Sequence, residues 1–122
     1  MTVGFRQGHP PTQPFELWTV GADGSGATKL VHYTPLAADV RNPTWSPRSG
    51  TIAFEAFIDH LRRYDMFTIR RGGGSPKAVM HSKRGEWNLD WGKTGRIAFS
   101  LANSICTIAP NGRGLRNLTR HK

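Results

Sequence analysis

Three stretches of six residues follow one pattern: Phe15-Glu16-Leu17-Trp18-Thr19-Val20, Tyr64-Asp65-Met66-Phe67-Thr68-Ile69 and Asn103-Ser104-Ile105-Cys106-Thr107-Ile108. The second copy begins 49 residues after the first and the third 39 residues after the second, so that a threonine falls at the same place in each. Apolar residues in these stretches do not show the spacing of three and four that a helix requires. The pattern therefore indicates a recurring β-strand.

Each copy is preceded by a second short strand and followed by a turn and a closing strand. The preceding tripeptides are Val3-Gly4-Phe5, Ile52-Ala53-Phe54 and Ile97-Ala98-Phe99. The turns are Ala22-Asp23-Gly24, Gly72-Gly73-Gly74 and Pro110-Asn111-Gly112, and the closing pairs are Leu30-Val31, Val79-Met80 and Leu118-Thr119. A further strand, marked by Trp45 or Trp91, opens the last two units. Repeats of about 40 to 50 residues with four strands each are typical of β-propeller blades.

We therefore predict an all-β fold of about 11 antiparallel strands, arranged as three blades in one partial propeller domain. The predicted blades are residues 1–33, 34–82 and 83–122, and the first lacks its inner, Trp-bearing strand. The positions expected to hold the repeat together are Trp45, Pro47, Gly50, Phe54, Trp91, Gly95 and Phe99. Propellers close with about four to eight blades. Three blades therefore need partners, either blades outside this chain or a second copy, which would give six.

Positive charge rises along the chain. The formal net charge is +9, divided as 0, +3 and +6 among the three predicted blades. The candidate binding surface comprises the densest basic positions and one nearby histidine: His60, Arg62, Arg63, Arg70, Arg71, Lys83, Arg84, Arg113, Arg116 and Arg120. Such a surface attracts polyanions, including nucleic acids, through salt-sensitive contacts. The alternative is the solvated surface of a basic protein, and the sequence leaves both interpretations open.

Nothing in the sequence predicts catalysis, a metal site or a cofactor. The five histidines are scattered, the carboxylates form no close pair, and no Gly-x-Ser-x-Gly elbow is present. The single cysteine, Cys106, stands where the other copies have Trp18 and Phe67, so we expect a buried thiol. No run approaches the roughly 18 apolar residues of a membrane span. The compartment is left open between the cytoplasm and, after removal of a signal, the periplasm or extracellular space.

The repeat resembles the TolB-like, WD-repeat-like β-propeller family. The matching residues are Trp45-Ser46-Pro47, Ile52-Ala53-Phe54, Asp23-Gly24, Leu118-Thr119 and, more loosely, Trp91-Gly92 with Ile97-Ala98-Phe99. The turn aspartate of that family is replaced by Arg48-Ser49 and Lys93-Thr94, so no calcium or partner contact made through that aspartate carries over. We expect these two turns to be looser, or to be stabilised by the hydroxyls of Ser49 and Thr94.

The resemblance implies a binding platform, because such propellers act in protein assembly or as the non-catalytic lid of peptidases. The sequence thus predicts a non-enzymatic binding or scaffold module that binds protein. Its partners would be a second copy of itself or missing propeller blades. The alternative is polyanion or nucleic-acid binding through the basic third blade.

Overall fold

A computed structural model describes residues 2–7, 15–31, 37–58, 63–82 and 88–119. These residues form β-strands and turns and contain no helix. The strands are β1 (Thr2–Gln7), β2 (Phe15–Val20), β3 (Thr28–Val31), β4 (Ala37–Trp45), β5 (Thr51–Ile58), β6 (Arg63–Arg70), β7 (Lys77–Ser82), β8 (Asp90–Trp91), β9 (Ile97–Leu101), β10 (Ser104–Ile108) and β11 (Arg116–Asn117).

The strands pair into three antiparallel sheets, each a simple meander. Their orders are β1-β2-β3, β4-β5-β6-β7 and β8-β9-β10-β11, and we call these sheets blades 1, 2 and 3. The predicted all-β class is confirmed, and within the described ranges the strands number 11 as predicted, with three in blade 1 and four in each of blades 2 and 3. The first and last strands of blade 3, β8 and β11, have two residues each.

One hydrophobic cluster joins blades 1 and 2. Leu17 and Leu30 of blade 1 pack with Ile52, Phe54 and six further apolar residues of blade 2. The register of β5 and β6 explains why these residues share one face of blade 2, because Ile52 lies opposite Ile69 and Phe54 opposite Phe67. Alternate residues of a strand point to opposite sides of the sheet. The other side of blade 2 is therefore left for blade 3.

A second cluster joins blades 2 and 3. Here Ala53, Met66 and Val79 of blade 2 meet Ile97, Phe99, Cys106 and Ile108 of blade 3. Cys106 is buried, as predicted, and burial raises the pKa of its thiol. Near-continuous burial of β5 over residues 52–56 follows from this arrangement, since both faces of the middle blade are covered.

Five turns lie at one end of the blades and share one backbone geometry. In each, the first residue accepts a hydrogen bond from the amide of the residue three positions later; the accepting residues are Gly21, Ser46, Arg70, Gly92 and Ala109. The donating residue has a positive φ in every case, and it is glycine in four turns and Ser49 in the fifth. In this last turn the hydroxyl of Ser46 accepts from the amides of Gly50 and Thr51 at 3.2 and 3.1 Å. Ser46 thus contributes the stabilising hydroxyl at this turn.

An asparagine in the left-handed conformation precedes the tryptophan of both Trp-bearing strands. Asn42 and Asn88 have φ of 54° and 47°, and each precedes its tryptophan by three residues. The Nε1 of Trp91 donates to the carbonyl of Gly95 at 3.1 Å. The amide of Trp91 also donates to the hydroxyl of Thr44 at 3.2 Å, which links the inner strands of blades 2 and 3.

Candidate functional site

The face of blade 3 that points away from blade 2 exposes two apolar side chains, Ile105 and Leu118. We call it the far face of blade 3. The offset of 39 residues makes these two side chains equivalent to Met66 and Val79 of blade 2. Met66 and Val79 are 0% and 8% exposed, because blade 3 covers them. Ile105 and Leu118 are 46% and 61% exposed. The same positions thus carry apolar side chains in both blades and are covered in only one of them.

Hydrogen bonds hold this face in place. The amide of Leu118 donates to the carbonyl of Ile105 at 2.8 Å. In the opposite direction, the amide of Ile105 donates to the hydroxyl of Thr119 at 2.9 Å. Leu115, at 52% exposure, precedes β11 and adds to the exposed apolar side chains of blade 3. Two hydrogen bonds thus connect Ile105 of β10 with the residues that directly follow β11.

The side of blade 1 that points away from blade 2 is different. Trp18 alternates with Leu17, which packs towards blade 2, so the indole lies on the opposite side. The Nζ of Lys29 lies 5.8 Å from the centre of the Trp18 ring and 2.9 Å from a carboxylate oxygen of Glu16. Trp18 itself donates from Nε1 to Glu16 at 3.1 Å. The lysine stem and this ion pair cover part of the aromatic surface.

The described residues of the predicted binding surface divide between the two ends of the blades. Arg63 begins β6, and its guanidinium binds the carboxylate of Asp65 at 3.0 Å. Arg70 and Arg71 lie at the opposite end of that strand, with Arg113 in the equivalent turn of blade 3 and Arg116 in β11. His60, Arg62, Lys83, Arg84 and Arg120 lie outside the described residues.

The turn end of the blades carries cations that the sequence interpretation did not include in its site. Arg48 and Lys93 lie in the turns that precede β5 and β9, and Lys77 begins β7. All three are exposed. Alignment of the turns within the repeat is the signal that could have found them, because equivalent turns of a blade array share one end.

The two buried carboxylates of the described residues, Glu55 and Asp65, each form an ion pair with an arginine. Glu55 is fully buried and accepts from Arg41 Nε at 3.3 Å and from Asn42 Nδ2 at 2.9 Å. The Arg41 guanidinium also lies 4.8 Å from the ring centre of Tyr64. Burial raises the pKa of Glu55, although these donors and the Asn88 amide act against the shift. Among the described residues no group of three or more His, Cys, Asp or Glu could hold a metal ion.

Comparison with known proteins supports the fold. No protein-family model and no curated protein matches the sequence. Fifteen chains of solved structures match, and one of them belongs to the crystal structure of the nidogen/laminin complex, with a TM-score of 0.62 and 13% identity. The match covers 95% of this chain and 43% of the other, so this chain spans less than half the length of that β-propeller structure. At this identity the similarity shows the fold alone. Nowhere in the described ranges is there a helix able to cross a membrane.

Proposed function

We propose that this chain is a non-enzymatic interaction module whose blades join further blades to complete a β-propeller. The observation that carries the proposal is the exposure of Ile105 and Leu118 at positions that are buried between blades 2 and 3. A contiguous exposed apolar surface marks an interaction site. Since the equivalent surface of blade 2 binds a blade, the far face of blade 3 is shaped to receive another.

A second copy of the chain is the partner that we favour. The far face of blade 3 in one copy would pack on the side of blade 1 that points away from blade 2 in the other, where Trp18 lies. Two such contacts, related by a two-fold axis, would close six blades into a ring. Strand β1 is the terminal strand of its sheet, and an added strand would pair with its outer edge.

The comparison supports a protein as the partner. The matched solved structure is of a complex between nidogen and laminin, and the fold is shared. The TolB-like resemblance remains a prediction. The same propeller could be completed by blades of another chain, and the experiment below distinguishes that outcome from self-association.

Sedimentation velocity of the purified chain, over a range of micromolar concentrations, tests the proposal. We expect a dimer for the wild-type chain and a folded monomer for Ile105→Asp, because a buried unpaired carboxylate opposes association. Thr94→Asp, which makes the same charge change at an exposed turn of blade 3, is the control and should remain dimeric. A wild-type chain that stays monomeric at every concentration would exclude self-association and leave only blades from another chain.

The polyanion hypothesis is the second candidate, and the clustering of cations at the turn end favours it. Arg48, Arg70, Arg71, Lys93 and Arg113 all lie in these turns. Contacts to phosphate groups weaken steeply as salt rises. Fluorescence anisotropy with single- and double-stranded oligonucleotides, at low and physiological salt, tests it. Absence of binding at low salt would eliminate this candidate.

A further inference from the structure

The three equivalent turns between the last two strands of each blade differ in one hydrogen-bond acceptor. In blade 1, the Asp23 carboxylate accepts from the amide and the hydroxyl of Ser25 at 3.0 and 2.6 Å. In blade 3, the Asn111 side-chain oxygen accepts from the amide of Arg113 at 3.0 Å. Blade 2 has Gly72 at this position, so its turn contains no side-chain acceptor there.

The turn without the acceptor is also the turn that gains a cation. The residue that opens the turn is Gly21 in blade 1 and Ala109 in blade 3, but Arg70 in blade 2. Arg70 is exposed, and Lys77 enters the same region from the start of β7. The loss of an acceptor and the gain of positive charge therefore occur together in one copy of the repeat.

A cavity of about 450 Å³ lies against this turn in blade 2. Its polar lining comes from Thr51, Thr68, Arg70, Ser75 and Lys77, with the backbone of Gly74 beside them. No carboxylate is among the described residues that line it. Thr68 is 8% exposed and lies opposite Lys77 in the sheet. This volume is within the range of small-ligand sites.

In blade 1 this turn holds a carboxylate, and the residue of blade 2 equivalent to its donor Ser25 is Gly74, which offers the backbone amide without the hydroxyl. The hydroxyl and amide of Ser25 donate to Asp23 and lower the pKa of its carboxyl. Guanidinium, ammonium, hydroxyl and backbone amide groups are the donors that bind oxyanions, and the planar guanidinium can bind two oxygens at once. The cavity in blade 2 supplies these donors from Arg70, Lys77 and their polar neighbours.

We propose that this cavity binds a small oxyanion, phosphate or a phosphate monoester, beside the turn whose equivalent in blade 1 holds the Asp23 carboxylate. The anion would be bound by Arg70 and Lys77 and would accept hydrogen bonds from the hydroxyls and the turn backbone. The site does not require the propeller to be completed, because its described lining residues all belong to blade 2.

Isothermal titration calorimetry with inorganic phosphate and with phenyl phosphate, in a chloride buffer, tests the site. We expect saturable binding to one site on the wild-type chain. Tighter binding of phenyl phosphate assigns the cavity to phosphorylated small molecules, and equal affinity assigns it to free phosphate. Absence of binding for both probes would overturn the proposal.

Four variants separate a specific site from general attraction by a basic protein. Gly72→Asp supplies an internal carboxylate, as in blade 1, and should weaken binding by at least about tenfold, as should Arg70→Gln. Gly72→Ala adds no acceptor and should bind like the wild type. Arg113→Gln makes the same charge change in the turn that already contains Asn111, and it should also have no effect.

The Gly72 variants are expected to fold, because a Cβ at this position meets no heavy atom within 4 Å. Circular dichroism and urea unfolding will verify this. Equal loss of affinity in Arg113→Gln and Arg70→Gln would contradict a defined site, and so would unchanged affinity in Gly72→Asp.

Discussion

Glu55 is the one fully buried carboxylate among the described residues, and it lies where two blades meet. Its hydrogen-bond donors come from Arg41 and Asn42 of blade 2 and from the Asn88 backbone of blade 3. Asn42 and Asn88 share the left-handed conformation, which asparagine tolerates better than most residues. The two asparagines thus bring donors from two successive blades to one buried carboxylate.

We predict that Glu55 makes stability decrease as the pH rises. Burial raises its pKa above the ordinary value of 4.5, so the folded chain binds the proton more tightly than the unfolded chain does. The bound proton therefore stabilises the folded chain at acidic pH, and this stabilisation is lost as the pH rises through the raised pKa. Urea unfolding of the wild type and of Glu55→Gln at a series of pH values measures the effect.

The informative quantity is the difference in unfolding free energy between these two proteins. We expect the wild type to lose stability relative to Glu55→Gln as the pH rises above the ordinary pKa of 4.5, since only the wild type must ionise the buried Glu55. A difference that stays constant would show that the donors balance burial, and one that favours the wild type increasingly at high pH would show that they outweigh it.

At the scale of elements, the turns show where sequence reasoning worked and where it stopped. The repeat located the strands because the Ile-Ala-Phe segments are apolar throughout and the Leu-Trp-Thr-Val segment is apolar except for its threonine, as expected of strands in covered sheets. It did not identify Ser46 as the acceptor for Gly50 and Thr51, because that contact depends on one extra residue in this turn. The sequence repeat predicts where the turns lie, whereas the side-chain contacts within them depend on backbone geometry.

The candidate site was less accessible to sequence reasoning than the strands. Met66 and Ile105 are both large apolar residues at one repeat position, and only the neighbouring blade makes one buried and the other exposed. Likewise, the missing side-chain acceptor at Gly72 becomes apparent only when its turn is compared with the turns that contain Asp23 and Asn111. Such differences between copies are visible only in the three-dimensional structure, because each copy fits the same sequence pattern.

Ser49 offers a prediction at this scale. Its φ is 57°, while the equivalent residue in blade 3, Gly95, has a φ of 87°. A non-glycine residue in this region costs about 1–2 kcal/mol, and glycine loses part of that advantage through the entropy of the unfolded chain. We expect Ser49→Gly to raise the free energy of unfolding by about 0.5 kcal/mol. Urea unfolding measures it.

The reverse exchange serves as the matched control. Gly95→Ser places a side chain at a φ of 87° and should lower the free energy of unfolding by about 1 kcal/mol. A lower urea midpoint for Ser49→Gly, with an unchanged slope, would mean that the Ser49 side chain contributes more than its backbone strain costs.

At the scale of the molecule, three blades form a linear array in which each cluster joins only neighbours. The interface of blades 1 and 2 and that of blades 2 and 3 are separate hydrophobic clusters. In repeat arrays of this kind, stability is approximately a sum of unit and nearest-neighbour interface contributions. Every added interface would therefore stabilise the chain, and Ile105 and Leu118 on the far face of blade 3 are exposed in the single chain.

This arrangement predicts that thermal stability depends on protein concentration. If two copies associate through blade 3 and blade 1, mass action stabilises the folded dimer, and Tm should rise by several degrees between low and high micromolar concentrations. Differential scanning calorimetry of the wild type and of Leu118→Asp tests this. Leu118 is 61% exposed in the single chain, so the substitution should leave Tm unchanged at low concentration and remove the rise at high concentration. If the Tm of the wild type is independent of concentration, association through this face is contradicted. If the variant is already less stable at low concentration, Leu118 contributes to the fold of blade 3 itself.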